Sequence, residues 1–254
     1  MLDVRAIPAF SDNYIWLLHA GGKACAVVDP GDDGPVLVAL EGAGLALEYI
    51  LLTHHHDDHI GGVAGLLNHY RPQVIGPEDR RIRCLTRVVA EGDTVDLPEL
   101  GLQFDVLEVP GHTRSHIAYF GAGALFCGDT LFSIGCGRLF EGTAEQMQES
   151  LDKLAALPAS TRVYCGHEYT RSNCAFALEV EPHNEALRER ARAVNQLRKA
   201  GKITLPSLLS EELAANPFMR TRAEPVVTAA RNRDAEAAPG ASTLAVIRRW
   251  KDSW

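Results

Sequence analysis

Six consecutive residues, His54-His55-His56-Asp57-Asp58-His59, hold four of the ten histidines and two of the carboxylates in this 254-residue chain. Neutral imidazole is the commonest nitrogen donor to zinc, iron, nickel and copper, and carboxylates add harder oxygen donors. So many polar groups beside an apolar segment would be costly to desolvate without a cation to pair with them. Tyr49-Ile50-Leu51-Leu52 precedes the cluster and reads as a short buried strand. Ile60, Val63, Leu66 and Leu67 follow it at helical spacing, so a helix is expected to begin near Asp58. If extended backbone persists through His56, then His54 and His56 point to one side and His55 to the other. Asp58 and His59 would then reach the same pocket from the helix. A solvated histidine-rich loop would need none of this alternation. Six residues fill one coordination sphere and part of a second, so further ligands are expected downstream.

Three later strands also end in a candidate donor. Residues 102–109 stop at Pro110-Gly111-His112-Thr113, residues 125–127 run into Gly128-Asp129-Thr130, and residues 161–165 end at Gly166-His167-Glu168-Tyr169. A single histidine at a strand end is ordinarily a satisfied polar residue. Three such ends following a dense cluster argue for a shared centre, because strand ends are where sheets present ligands. Asp29, closing the strand 24–29, either hydrogen-bonds a ligand from behind or merely begins the turn at Pro30-Gly31. His19, His69 and His183 have no converging partners and are expected at the surface.

The elements that must position these groups begin with strands at 4–7 and 14–18 and a short helix at 35–41. Strands follow at 73–75, 94–97 and 117–120, while 77–89 is open between helix and loop. Thr143 with Gln146 makes a capping-box start to a helix through Ala156. A domain boundary is expected near 171–182. Beyond it, Leu187, Ala191, Val194 and Leu197 share one face of a helix over 184–200. Helices are expected at 207–214 and 243–251, with 221–242 a long surface connection. Hairpin-spaced strands followed by strand–helix alternation suit an α+β, two-sheet sandwich flanked by helices.

The apolar content of 46% and charged content of 23% suit a soluble globular chain. No run approaches the roughly 18 apolar residues of a membrane span. The opening M-L-D-V-R-A-I-P lacks a basic region followed by an apolar core, so no signal peptide is expected. Six cysteines without C-x-x-C spacing read as reduced thiols, and the expected compartment is the cytoplasm. Residues 1–172 carry a net charge of −11 and residues 173–254 a net +3. The acidic majority argues against nucleic acid, whereas the basic tail suits a small anion.

T-H-H-H-D-D-H, P-G-H-T, G-D-T-L and C-G-H-E-Y, in this order, resemble the metallo-β-lactamase superfamily and, within it, glyoxalase II, the hydroxyacylglutathione hydrolases. F-S-D-N-Y (Phe10 to Tyr14), V-D-P-G-D (Val28 to Asp32), N-P-F-M-R (Asn216 to Arg220) and R-R-W-K-D (Arg248 to Asp252) extend the resemblance over nearly the whole chain. It implies an αβ/βα four-layer sandwich, the metallo-β-lactamase fold, over residues 1–172, with a small C-terminal helical domain over 173–254. It implies two divalent ions, zinc foremost with iron or manganese as alternatives. His54, His56 and His112 would hold one, Asp58, His59 and His167 the other, and Asp129 would bridge them. His55 and Asp57 take no part, and His116 is read as lying behind the ligands or as structural, as is Asp29. A glutathione thioester would be bound by Arg138, Phe140, Tyr169, Arg248 and Lys251. Arg138 and Phe140 stand where the family usually has lysine and tyrosine, which removes one hydroxyl.

The implied reaction is hydrolysis of S-D-lactoylglutathione and related S-2-hydroxyacylglutathiones to the hydroxy acid and glutathione. Two cations about 3.5–4 Å apart lower the pKa of a shared water toward ~7, and the resulting hydroxide attacks the thioester carbonyl. Asp58 is a further candidate as proton acceptor. The chain is expected to act as a monomer with neither nucleic acid nor membrane as partner. The competing readings are another enzyme of the superfamily, such as a persulfide dioxygenase, a lactamase or a nuclease, and a non-catalytic metal- or glutathione-binding protein.

Overall fold

The computed structural model describes residues 2–254. They fall into two compact units, the first made of residues 2–108 with Ser115–Gly128, the second of Val109–Arg114 with Asp129–Trp254.

In the first unit, β1 (Asp3–Ala9), β2 (Asn13–His19) and β3 (Ala24–Val28) pair antiparallel, joined by turns short enough for hairpins. The helix α1 (Asp33–Ala43) then carries the chain across to β4 (Ala46–Leu51), which pairs parallel with β3. The Asp32 carboxylate caps α1 by accepting from the Gly34 N–H, and Gly44 closes the helix at φ 63°. The expected helix after the histidines is broken in two. α2 (Asp57–Ile60) is a single turn, and α3 (Val63–His69) resumes after Gly61-Gly62. β5 (Gln73–Gly76) and β6 (Arg87–Val88) complete a parallel half-sheet. The segment left open over 77–89 contains no helix, being irregular through residue 86 and strand at β6. Val36 and Leu40 of α1 with Val63 and Leu66 of α3 bury against Ile15, Leu17, Val27, Ile50 and Val74 of the sheet.

The same unit holds an antiparallel meander, β7 (Thr94–Leu97), β8 (Leu102–Glu108), β9 (Ile117–Gly121) and β10 (Ala124–Gly128). The buried Tyr119 hydroxyl of β9 is 2.9 Å from the Leu52 carbonyl and 3.2 Å from that of Ile75. That contact fastens the meander to the strand ends where the histidine cluster begins.

The second unit opens with the two-residue pair β11 (Leu131–Phe132) and β12 (Gly135–Cys136). α4 (Ala144–Ala155) starts with the expected capping box on Thr143 and Gln146. β13 (Arg162–Cys165) leads through His167 into α5 (Thr170–Val180), and α6 (Glu185–Lys199) is capped by Asn184. Cys174 and Ala177 of α5 pack against Leu187, Ala191 and Val194 of α6 and against Ile134. Most of segment 171–182, where a boundary is expected, is the packed helix α5.

Two further expectations change. The helix expected from Ser207 starts two residues later, because β14 (Ser207–Leu208) first pairs with β13, and α7 spans Leu209–Ala215. The surface connection expected over 221–242 contains α8 (Glu224–Arg231), with Pro225 in its first turn and Val226, Val227 and Ala230 buried. Eight residues carry too little periodicity to announce such a helix. α9 (Ala241–Asp252) ends the chain's regular structure. No helix among the described residues is long and apolar enough to cross a membrane.

Candidate metal centre

The first unit supplies four of the expected donors from the loop after β4. His54 and His59 are buried, while His56 and Asp58 are partly covered. The Thr53 hydroxyl donates to Asp29 Oδ2 at 2.7 Å, so its oxygen can accept only from the His54 Nδ1 beside it at 3.0 Å. That fixes the His54 proton on Nδ1 and leaves Nε2 as a bare donor, 3.1 Å from His56 Nδ1. Two imidazole nitrogens on one cation at about 2.0–2.1 Å each stand at such a separation. His59 is oriented in the same way: Nδ1 lies 3.0 Å from Asp29 Oδ2, and Nε2 faces Asp58 Oδ2 at 3.6 Å.

Asp29, His54 and His59 also offer three donor atoms within 4.8 Å of one another. Asp29 nevertheless stands behind the donors. Its oxygens already accept from the Thr53 N–H, the Thr53 hydroxyl and His59. Of the two roles open to it in the sequence, the hydrogen-bonding one is what the geometry displays. His116 is fully buried, and its ring stacks on His54 with centroids 4.5 Å apart and planes 17° off parallel. His55, in the irregular segment after β4, faces Asp79 at 3.6 Å. Asp79 also accepts from Arg81 and from the Ser115 hydroxyl, and these hold its carboxyl well below the usual range.

The second unit brings together the other three donors. Asp129 Oδ2 lies 3.5 Å from His112 Nε2 and 3.3 Å from His167 Nε2. His112 Nδ1 donates to the Arg138 carbonyl at 2.9 Å, again leaving Nε2 for the donor side. The Asp129 and Gly137 backbones approach so closely that a Cβ on Gly137 would sit 1.9 Å from the Asp129 carbonyl oxygen, so that position needs glycine. His167 is held by Tyr169, whose ring lies flat against it at 4.7 Å and 5°. A buried imidazole whose outer nitrogen is already hydrogen-bonded is the usual dress of a metal ligand. Imidazole and carboxylate donors of this kind fit a divalent cation.

Residues 10–167 match the profile of the metallo-beta-lactamase superfamily, and residues 168–254 match that of the hydroxyacylglutathione hydrolase C-terminus. The hydroxyacylglutathione hydrolase of Aliivibrio salmonicida is 53% identical and that of Vibrio parahaemolyticus 52%, each over the whole of both chains. The chain belongs to the hydroxyacylglutathione hydrolase family. Its fold is that of the metallo-β-lactamase superfamily, as in ETHE1 from Myxococcus xanthus, with a TM-score of 0.60 at 28% identity over 87% of this chain and 98% of that one. The BLEG-1 B3 metallo-beta-lactamase, 22% identical, shares the fold with a TM-score of 0.63 over 86% of this chain and 99% of its own. Like the rest of its family, this chain is a metal-dependent hydrolase.

The residues that the hydroxyacylglutathione hydrolase resemblance marks for substrate all lie in the second unit, in unequal settings. Arg138 is largely exposed and 3.5 Å from Asp252. Phe140 is 62% exposed, its ring edge-on to His112 at 5.3 Å. Arg248 is buried, donating to the Cys136 carbonyl at 2.8 Å and to Asp252 at 3.0 Å. Lys251, one turn on, donates to the Asn173 amide oxygen. Burial, and then the neighbouring Arg248 charge, pull the Lys251 ammonium down to about 7. The pair therefore presents one engaged guanidinium and one titratable amine.

Several site residues carry no signal in the sequence. Asn13, Thr53 and Asn173 touch candidate site residues from 45, 1 and 78 positions away. Only Thr53, a hydroxyl adjoining the cluster, could have been singled out by position. All six cysteines are free thiols, and burial pushes those of Cys165 and Cys174 up to about 12.

Proposed function

We propose that this thioester hydrolase cleaves S-2-hydroxyacylglutathiones, S-D-lactoylglutathione among them, to the 2-hydroxy acid and glutathione. The observation that carries the reading is the full-length relation to hydroxyacylglutathione hydrolases at 53% identity, extending through the C-terminal residues 168–254. Residues 1–172 form the metal-binding part, and 173–254 contribute Arg248 and Lys251 to the substrate site.

The cofactor is two divalent ions, zinc foremost, with iron and manganese compatible with the mixed donors. His54, His56 and His112 would hold one and Asp58, His59 and His167 the other, with Asp129 a further donor. When bound, the pair supplies Lewis acidity and a water acidic enough to ionise near neutral pH. The chain's own residues do the rest by placement. Asp29, Thr53 and the Arg138 carbonyl take the outer nitrogens of His59, His54 and His112, which holds each ring in one orientation with Nε2 turned inward. Asp58, partly exposed beside His59, is a further candidate to take up a proton. Lys251 and Arg138 attract the carboxylates of the tripeptide, and Tyr169 and Phe140 flank His167 and His112 on the substrate side. A thiolate whose thiol has a pKa near ~8.5 departs without a general acid. None is required of the chain. Cys136 and Cys165 are buried thiols pushed upward in pKa, unsuited to act as nucleophiles.

The substrate is a small molecule, and the protein acts as a cytoplasmic monomer without nucleic acid or membrane. The test is release of glutathione from S-D-lactoylglutathione by metal-loaded protein, with His54→Ala alongside. Turnover that His54→Ala abolishes supports the reading. Binding of glutathione thioesters without turnover, or full activity in His54→Ala, overturns it.

A further inference from the structure

Asp58 is only partly covered, its side chain 42% accessible on a single-turn helix. A single turn gives the carboxylate little helical packing of its own. One contact that orients it comes from Asn13, the first residue of β2. Its amide nitrogen lies 2.9 Å from Asp58 Oδ2 and 3.3 Å from the Asp58 carbonyl oxygen, and Asn13 itself is only 7% exposed. One buried NH2 group thus grips both the side chain and the backbone of the same residue. The backbone is also clamped from the other side, since a Cβ on Gly31 would fall 1.9 Å from the Asp58 carbonyl oxygen. Asn13 pairs with Ala9 across the β1–β2 hairpin. The rigid end of that hairpin therefore sets where Asp58 Oδ2 stands relative to His59 Nε2, 3.6 Å away.

From this geometry we infer that Asn13 is a positioning residue of the metal centre, its side-chain amide fixing Asp58 so that the Asp58–His59 pair binds its divalent cation tightly. The inference rests on the reading of Asp58 as a ligand. An acceptor carboxylate with one lone pair taken by a buried donor keeps its other lone pair aimed at the cation. It also no longer loses side-chain freedom on binding, which is how hydrogen-bond partners behind a ligand raise metal affinity. Aspartate at position 13 would keep the volume while replacing the donor with a second acceptor. Alanine would remove the contact altogether.

The experiment is equilibrium dialysis of the chelator-stripped full chain against Co2+, read as metal per chain and by the visible spectrum of the bound ion, with the melting temperature of the metal-free protein measured in parallel. Asn13→Asp, Asn13→Ala and Asp58→Ala are compared with wild type. The expected result is that both Asn13 variants keep one ion at wild-type affinity and bind the other 10–100-fold more weakly. The metal-free melting temperature of Asn13→Asp should stay close to wild type. Two ions bound with unchanged affinity by both Asn13 variants, while Asp58→Ala loses one, would overturn the inference alone. Unchanged binding in Asp58→Ala would overturn the ligand assignment beneath it. Equal weakening of both ions in the Asn13 variants would show a general structural role and also overturn the inference.

Discussion

The ammonium of Lys251 on α9 is hydrogen-bonded to the amide oxygen of Asn173 on α5, and the Asn173 amide nitrogen in turn donates to the Ser133 carbonyl at 3.0 Å. One side chain thus links the C-terminal helix to the β11–β12 turn. Lys251 also lies within 5.7 Å of the Phe176 ring centre and 5.9 Å of that of Phe218, a setting poor in water.

With a pKa drawn down to about 7 by burial and by Arg248, Lys251 is charged below that pH and neutral above it. Cys136, Asp252 and Cys174 pull in the opposite direction without restoring the usual value. The substrate's carboxylates stay ionised throughout. The KM for a glutathione thioester is therefore expected to be lowest near pH 6 and to rise about tenfold by pH 8.5, the worth of one charge-assisted hydrogen bond. Lys251→Gln should show the high KM at every pH. A wild-type KM that is flat from pH 6 to 8.5 would contradict this.

Asp29 concentrates three buried donors on one carboxylate: the Thr53 N–H at 2.8 Å, the Thr53 hydroxyl at 2.7 Å and His59 Nδ1 at 3.0 Å. Asp29→Ala leaves all three unpaired, each costing about 1–3 kcal/mol. We expect a fall of several degrees in melting temperature and at least a tenfold loss in metal affinity, because both His54 and His59 lose their orientation. Metal content after dialysis and a thermal scan of the metal-free chain check the two parts separately. Asp29→Asn should fall between, since its amide oxygen can satisfy the Thr53 N–H but its NH2 then faces both the hydroxyl and His59.

Glu212 is wholly buried on α7, where Oε2 accepts from the Ile134 N–H at 2.7 Å and from Asn216 at 3.0 Å. Burial raises its pKa above the ordinary carboxylate value, although these hydrogen bonds pull it back in part. A carboxyl raised on folding contributes stability that is fully present below its unfolded value and is lost as pH rises through the folded one. Glu212→Gln retains the acceptor oxygen without a titratable proton. It should lose stability relative to wild type in acid and draw level with or surpass it at neutral pH. Glu212→Ala should lose about 2–5 kcal/mol at either pH, through the cavity and the orphaned donors. Urea melts at pH 4.5 and 7.5 measure both, and an Ala variant as stable as wild type would refute the role.

The candidate donors were legible in the sequence because metal chemistry is local in its demands. Each strand end carries its own His or Asp. The capping box at Thr143 and the amphipathic α6 were equally plain, since both depend on residues three or four positions apart. α8 was not, because a short helix that takes its stability from tertiary burial leaves almost no periodic trace.

What the tertiary structure decided is how each donor is held. Asn13 meets Asp58 across 45 positions, Asp29 meets His59 across 30, and Asn216 reaches the carbonyls of Phe132 and Gly135 across 84 and 81. Such pairings arise where separately encoded strands and helices pack, and no spacing rule connects them. The same holds for the state of Lys251. Its type announces a cation, but a pKa near 7 follows only from the rings and the arginine that folding sets around it. Sequence determined which atoms could bind metal and substrate, while packing determined their orientation, protonation and exposure to water.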